Sequence, residues 1–220
     1  MKNQLEMTFP THGGKRLNAG RKPKGGRSGV AHRAREVFKP GQPHIVTMRV
    51  EQSVWNLRRP RAYRVLRNAI ERANGTGRRG VTEYSVMGNH LHLIAEAQDE
   101  SAFSRGMQGL SIRIAKALNK LMGRKGKVFT DRFHSRVLRT GREIRSALAY
   151  VLCDARKHGL ARDMPRSWVD PFSSAPRFAG WKRRVKAGAG PPAPTLGANS
   201  WMLRLGWRRH GLLDPAFVPR

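Results

Sequence analysis

Apolar residues alternate with polar ones, or run unbroken, over four short stretches of this chain, and they recur at helical spacing over three longer ones. His44 to Val50, β-branched and preceded by Pro43, predicts a first strand. Pro60 then opens a helix whose stripe of Tyr63, Leu66, Ala69, Ile70 and Ala73 stops at Asn74-Gly75. Val81 to Met87 predicts the second strand and His90 to Ala97 the third. Phe103, Met107, Leu110, Ile114, Leu118 and Leu121 form one long apolar stripe, closed by Gly123-Arg124-Lys125-Gly126. Val128-Phe129 and Phe133 to Arg139 read as a further strand region. A last helix runs from Arg142 to Lys157, with Thr140 as its cap and Glu143 in its first turn. The expected fold is therefore α+β: a ferredoxin-like antiparallel sheet of order βαββαβ, followed by an additional helix. Both crossover helices of such a sheet lie on one face. The other is left for ligands or for the trailing helix.

Charge sets the class of partner. The 220 residues carry 44 Lys+Arg against 14 Asp+Glu, a net charge of +30. A field of that size calls for a polyanion, and nucleic acid is the default because counterion release drives its binding. A membrane surface is disfavoured, since the basic residues are spread along the chain and no stretch approaches the length of a span. The single cysteine, Cys153, rules out an internal disulfide and fits a reducing compartment. The first residues lack the apolar core of a signal peptide, so a cytoplasmic, nucleoid-associated protein is expected.

Residues 1–42 read as a basic, glycine-rich arm, residues 43–160 as the folded domain and residues 161–220 as a C-terminal extension. Within the arm, the run from Gly20 to Arg27 looks like an AT-hook, with Arg21, Lys22, Lys24 and Arg27 as its DNA contacts. A solvated tail attracting phosphates without specificity is the other reading. Arg113, Lys116 and Lys120 fall outside the long apolar stripe, as either a solvated face or a phosphate track.

The candidate chemistry begins at Met87-Gly88-Asn89-His90-Leu91-His92-Leu93-Ile94. Side chains alternate along a strand, so His90 and His92 share one face about 7 Å apart while Leu91 and Leu93 enter the other. Two such imidazoles can bind one divalent metal, or can stand as half-buried structural histidines. On the last helix, Tyr150 and Asp154 lie about 40° apart beside the apolar stripe. If that helix covers the open face of the sheet, Asp154 becomes a third ligand and Tyr150 lies one turn away. Otherwise Asp154 is a surface acid pairing with Arg156 or Lys157.

His90-Leu91-His92, followed at this distance by Tyr150 to Leu160, resembles the HUH single-tyrosine transposases, and within them the REP-associated tyrosine transposases. Gly126 to His134 is similar to another segment of that family, and Asp170-Pro171-Phe172-Ser173-Ser174 to the one that follows its nucleophile helix. The resemblance spans residues 43–175. It implies His90, His92 and Asp154 as ligands of Mg²⁺ or Mn²⁺ and Tyr150 as the nucleophile. It also implies hairpin-forming single-stranded DNA as substrate, with a 5′-phosphotyrosine intermediate and a free 3′-hydroxyl. The family more often has an amide or glutamate at the Asp154 position and proline at that of Ala155. A DNA-binding protein on the same fold without catalysis is the alternative this departure allows. An RNA-binding ferredoxin-like module is disfavoured, because no strand carries an RNP1-like aromatic signature.

Further DNA contacts are expected from Arg132, His134 and Arg136 near the fourth strand and from Arg156 and Lys157 at the end of the last helix. His134 and His158 also admit a structural role. In relatives the tyrosine is supplied either within one chain or by a partner, and the long extension inclines the expectation to a monomer. Within that extension, Ser200 to Gly211 reads as a short amphipathic helix. Trp201, Leu205 and Trp207 would dock it while Arg204, Arg208 and Arg209 face out; the other reading is a DNA contact with a stacked indole.

Overall fold

A computed structural model describes residues 39–75, 80–185 and 192–219. Residues 35–220 make one compact unit. The AT-hook-like residues Arg21, Lys22, Lys24 and Arg27 lie outside the described residues.

Strand β1 spans His44–Arg49, β2 Val81–Val86, β3 His90–Ala95 and β4 His134–Val137. They form one antiparallel sheet in the order β2-β3-β1-β4. That order follows from the split crossover of a βαββαβ chain, so the expected fold class is the observed one. All four strands are shorter than the periodicity suggests, β1 and β2 by a single residue each. β3 stops at Ala95, short of the buried Glu96 and Ala97, and β4 begins only at His134. Phe129 makes no more than an isolated bridge to Val50.

Helix α1 (Pro60–Asn74) starts on a proline, whose missing N–H costs nothing in the first turn. Helix α2 (Glu100–Met122) is capped by Asp99, which accepts from the Ala102 N–H, and ends at Gly123, whose φ of 62° favours glycine. Both pack their stripes on the sheet face formed by Val46, Met48, Leu91 and Leu93. Helix α3 (Gly141–Lys157) begins at Thr140, whose hydroxyl accepts from the Glu143 N–H while the Glu143 carboxylate accepts from the Arg139 N–H. Its residues Ile144, Leu148, Val151 and Leu152 cover the opposite face, around Ile94.

The segment after α3 closes the exposed edge of β2. Val86 N–H donates to the Phe172 carbonyl and Ser174 N–H to that of Tyr84, leaving fewer unpaired edge groups. Arg58 clamps this segment through a bidentate pair with buried Asp170 (2.7 and 2.8 Å) and lies over the Phe172 ring. Ser174 also hydrogen-bonds Glu83, whose burial, partly opposed by that bond, pushes its carboxyl up to about 7.

The C-terminal stretch corrects one expectation. Helix α4 is only Trp201–Arg204, continued by a 3-10 turn at Gly206–His210. Leu203 and Trp207 dock it, Trp207 stacking on Phe178, while Trp201 and Leu205 stay exposed. The two candidate stripes each hold one tryptophan and one leucine four residues apart, so periodicity could not choose between them.

Candidate active site

β3 and α3 build the site between them. On the α3 side of the sheet, β3 presents His90, His92 and Ile94, and β1 sets Thr47 directly opposite His92. Thr47 Oγ1 lies 2.9 Å from His92 Nδ1, and Asn89 Oδ1 lies 2.8 Å from His90 Nδ1. With each Nδ1–H donating outward to these oxygens, both Nε2 lone pairs are free to turn inward.

Both Nε2 atoms then face one carboxylate. Asp154 Oδ2 is 3.7 Å from His90 Nε2 and 3.7 Å from His92 Nε2. Asp154 is 0% exposed, and neither of its oxygens has a hydrogen-bond partner among the described residues. A buried carboxylate without donors costs several kcal/mol, so such a group is ordinarily protonated, paired or bound to a cation. Ligands sharing one ion with bonds of about 2.1 Å stand roughly 3–3.5 Å apart, close to the spacing here. His90, His92 and Asp154 therefore form a buried group that could hold a metal ion. Burial pushes His92 down to about 4, against the opposing pull of Asp154, and so keeps the imidazole in its neutral, ligating form.

Tyr150 sits one turn before Asp154 at the rim. Its hydroxyl is 3.4 Å from His92 Nε2, and the two rings meet edge to face at 4.9 Å. Burial raises its pKa, and the nearby charge of Asp154 raises it further. Lys157 Nζ lies 4.9 Å from the centre of the same ring. By contrast, Tyr63 and Tyr84 bond to each other, with Tyr63 also donating to the Pro171 carbonyl. Both belong to the closure of the β2 edge.

A groove of about 480 Å³ runs past Tyr150, lined by Ile45, Thr47, His134, Arg136, Arg145 and Phe217 among others. Of the residues expected to meet DNA, His134 and Arg136 line this groove and Lys157 stands over the tyrosine. Arg132 is exposed just ahead of β4. Arg113, Lys116 and Lys120 are exposed on α2, which packs on the opposite face of the sheet. The Arg156 guanidinium donates to the Pro165, Trp168 and Pro215 carbonyls and so ties the extension to α3.

Two more residues join the site: His158, which the sequence allowed either to back up the metal site or to serve structure, and Arg145, which sequence reasoning left aside. His158 Nε2 is 3.5 Å from Asp154 Oδ1, a pairing its i,i+4 spacing could have signalled. Arg145 reaches the groove from α3 and donates to the Gly211 carbonyl, a long-range contact with no local signal.

The sheet order and the placement of the three helices define the fold as one that occurs among transposases. One solved structure similar to this chain is a REP-associated tyrosine transposase bound to a REP hairpin, with a TM-score of 0.57 at 20% identity. The match covers 78% of this chain and 98% of that one. No protein-family model matches the sequence, and comparison with curated proteins finds no match.

Proposed function

We propose that this chain is a metal-dependent single-stranded DNA endonuclease and strand transferase, in which Tyr150 is the nucleophile. The observation that carries the reading is the 3.4 Å approach of the Tyr150 hydroxyl to His92, one of three buried residues that can share a cation. The bound hairpin in the solved transposase supports DNA as partner, and a net charge of +30 supplies the attraction.

His90, His92 and Asp154 would hold the cation, Mg²⁺ or Mn²⁺, beside the Tyr150 hydroxyl. When bound, it supplies positive charge for a non-bridging phosphate oxygen. Asn89 and Thr47 fix the two imidazole rings so that both Nε2 atoms face inward. His134, Arg136 and Arg145 orient the strand through its phosphates. Tyr150 Oη attacks phosphorus, a new Tyr–O–P bond forms, and the P–O3′ bond breaks. The products are a 5′-phosphotyrosine and a free 3′-hydroxyl. The bond energy stays in the phosphodiester link, so a second 3′-hydroxyl reverses the step and rejoins DNA. Tyr150 reaches the triad of its own chain, which supports action in cis by a monomer.

The test is to incubate the protein with labelled single-stranded hairpin DNA and Mn²⁺ and resolve covalent protein–DNA adducts on a denaturing gel. An adduct that disappears in Tyr150→Phe is expected. DNA binding with no adduct at any metal concentration would leave a binding protein on this fold and end the enzymatic reading.

A further inference from the structure

The C-terminal extension carries groups that the chemistry at Tyr150 does not use. Trp201 is 48% exposed and Leu205 44%, although Leu203 and Trp207 of the same stretch are buried. The exposed indole is also held in place. It lies against Gly206, where an added Cβ would come within 2.7 Å of Trp201 Cζ3. The Arg209 guanidinium stands 5.1 Å from the indole centre. Residues 200–212 contain Arg204, Arg208, Arg209 and His210 and no acidic residue. A half-open aromatic face with one guanidinium beside it, in a stretch rich in further cations, matches a nucleotide chemically: a base offers a π-face and its phosphates offer charge. Duplex DNA fits less well, because its bases are already stacked.

This platform is joined to the nucleophile helix. Gly206 O and His210 Nε2 press on Gly141, the first residue of α3, within 3.2 and 3.1 Å of where a Cβ would stand. Arg145 lines the groove beside Tyr150 and donates to the Gly211 carbonyl at 2.9 Å. Nine residues separate Gly141 from Tyr150, a helical rise of about 14 Å. At the roughly 3.4 Å rise of stacked DNA, that is about four nucleotides.

We propose that Trp201 and its arginines form a second contact for the strand engaged at Tyr150. An unpaired base within a few nucleotides of the reacting phosphate stacks on Trp201, and Arg204, Arg208 and Arg209 take the neighbouring phosphates. The proposal rests on the reading that the Tyr150 groove handles single-stranded DNA.

The test uses the full chain, fluorescence anisotropy and two labelled probes: a hairpin with short single-stranded extensions and the same hairpin without them. Trp201→Ala is expected to weaken binding of the extended probe by about 5- to 100-fold, the usual worth of one stacked base, and to leave the bare hairpin unchanged. Trp201→Phe restores most of the loss, and abasic sites in the extensions reproduce it in the wild-type protein. Arg204→Gln with Arg209→Gln lowers the salt slope for the extended probe by about 1.4. Equal affinity of Trp201→Ala and wild type for the extended probe overturns the proposal, as does an equal loss on both probes. The two readings separate cleanly. A Tyr150 adduct with no Trp201 effect sinks the platform alone, and a Trp201 effect without an adduct sinks strand transfer alone.

Discussion

The two faces of the sheet are built from the same strands and do opposite things. Towards α1 and α2, β1 and β3 present Val46, Met48, Leu91 and Leu93, all buried and all apolar. Towards α3, the intervening positions of β3 are His90, His92 and Ile94, and a fully buried carboxylate closes over the two imidazoles. One face spends its contacts on cohesion. The other keeps three polar groups in a space where water-like partners are scarce, and that condition suits a cation. The lesson is that strand alternation lets six residues supply both a core and a candidate metal site without compromise between them.

That division can be broken by substitution. His90→Ala should abolish the Tyr150–DNA adduct while leaving salt-sensitive DNA binding and the unfolding midpoint near wild type. Normal cleavage by that variant would remove the metal assignment. Three residues further along, Leu93→Ala should do the reverse. The side chain is 0% exposed, and its loss should cost about 3 kcal/mol of stability by urea unfolding, with adduct yield per folded molecule unchanged. A loss of chemistry without a loss of stability there would mean that the faces are not separable.

Metal binding sharpens the contrast. Mn²⁺ at about a hundred times its Kd should stabilise the wild-type protein by about 2.7 kcal/mol, reversed by a chelator and absent in Asp154→Asn. An equal shift in Asp154→Asn would place the ion elsewhere. A further effect is in acid. An unfolded chain protonates His92 as pH falls through about 6.5, whereas the folded chain holds it neutral to about 4 because burial disfavours the charge. Acid therefore favours unfolding across that window. In metal-free buffer, His92→Gln should flatten the decline in stability between those two pH values. A curve identical to wild type would show that His92 is not the group responsible.

Much of the fold was legible because local geometry writes itself into the sequence. The alternation at Leu91 and Leu93 against His90 and His92 assigned both faces of β3, and Thr140 with Glu143 marked the start of α3. The trouble came where two local solutions were equally good. Ser200 to Gly211 holds two apolar stripes of equal quality, and the observed one is the stripe whose Trp207 finds Phe178 and whose Leu203 reaches the core over α3. The contacts of Arg156 were illegible for a related reason. Its charge suggested phosphate, but the carbonyls that occupy it come from residues 9 to 59 positions later in the chain.

By itself, the sequence determined the strands, the helices, the faces they present and the sign of the partner, since these depend on backbone periodicity and total charge. Only the tertiary structure decided that Asp154 stands between two imidazole nitrogens with no hydrogen-bond partner among the described residues. It alone put Tyr150 beside one of those nitrogens and moved Arg113, Lys116 and Lys120 to the far side of the sheet. Residues 58 and more positions apart meet only where packing on both faces fixes the angle between β3 and α3. No local rule encodes that angle, because it is set by the volumes of all the side chains between them.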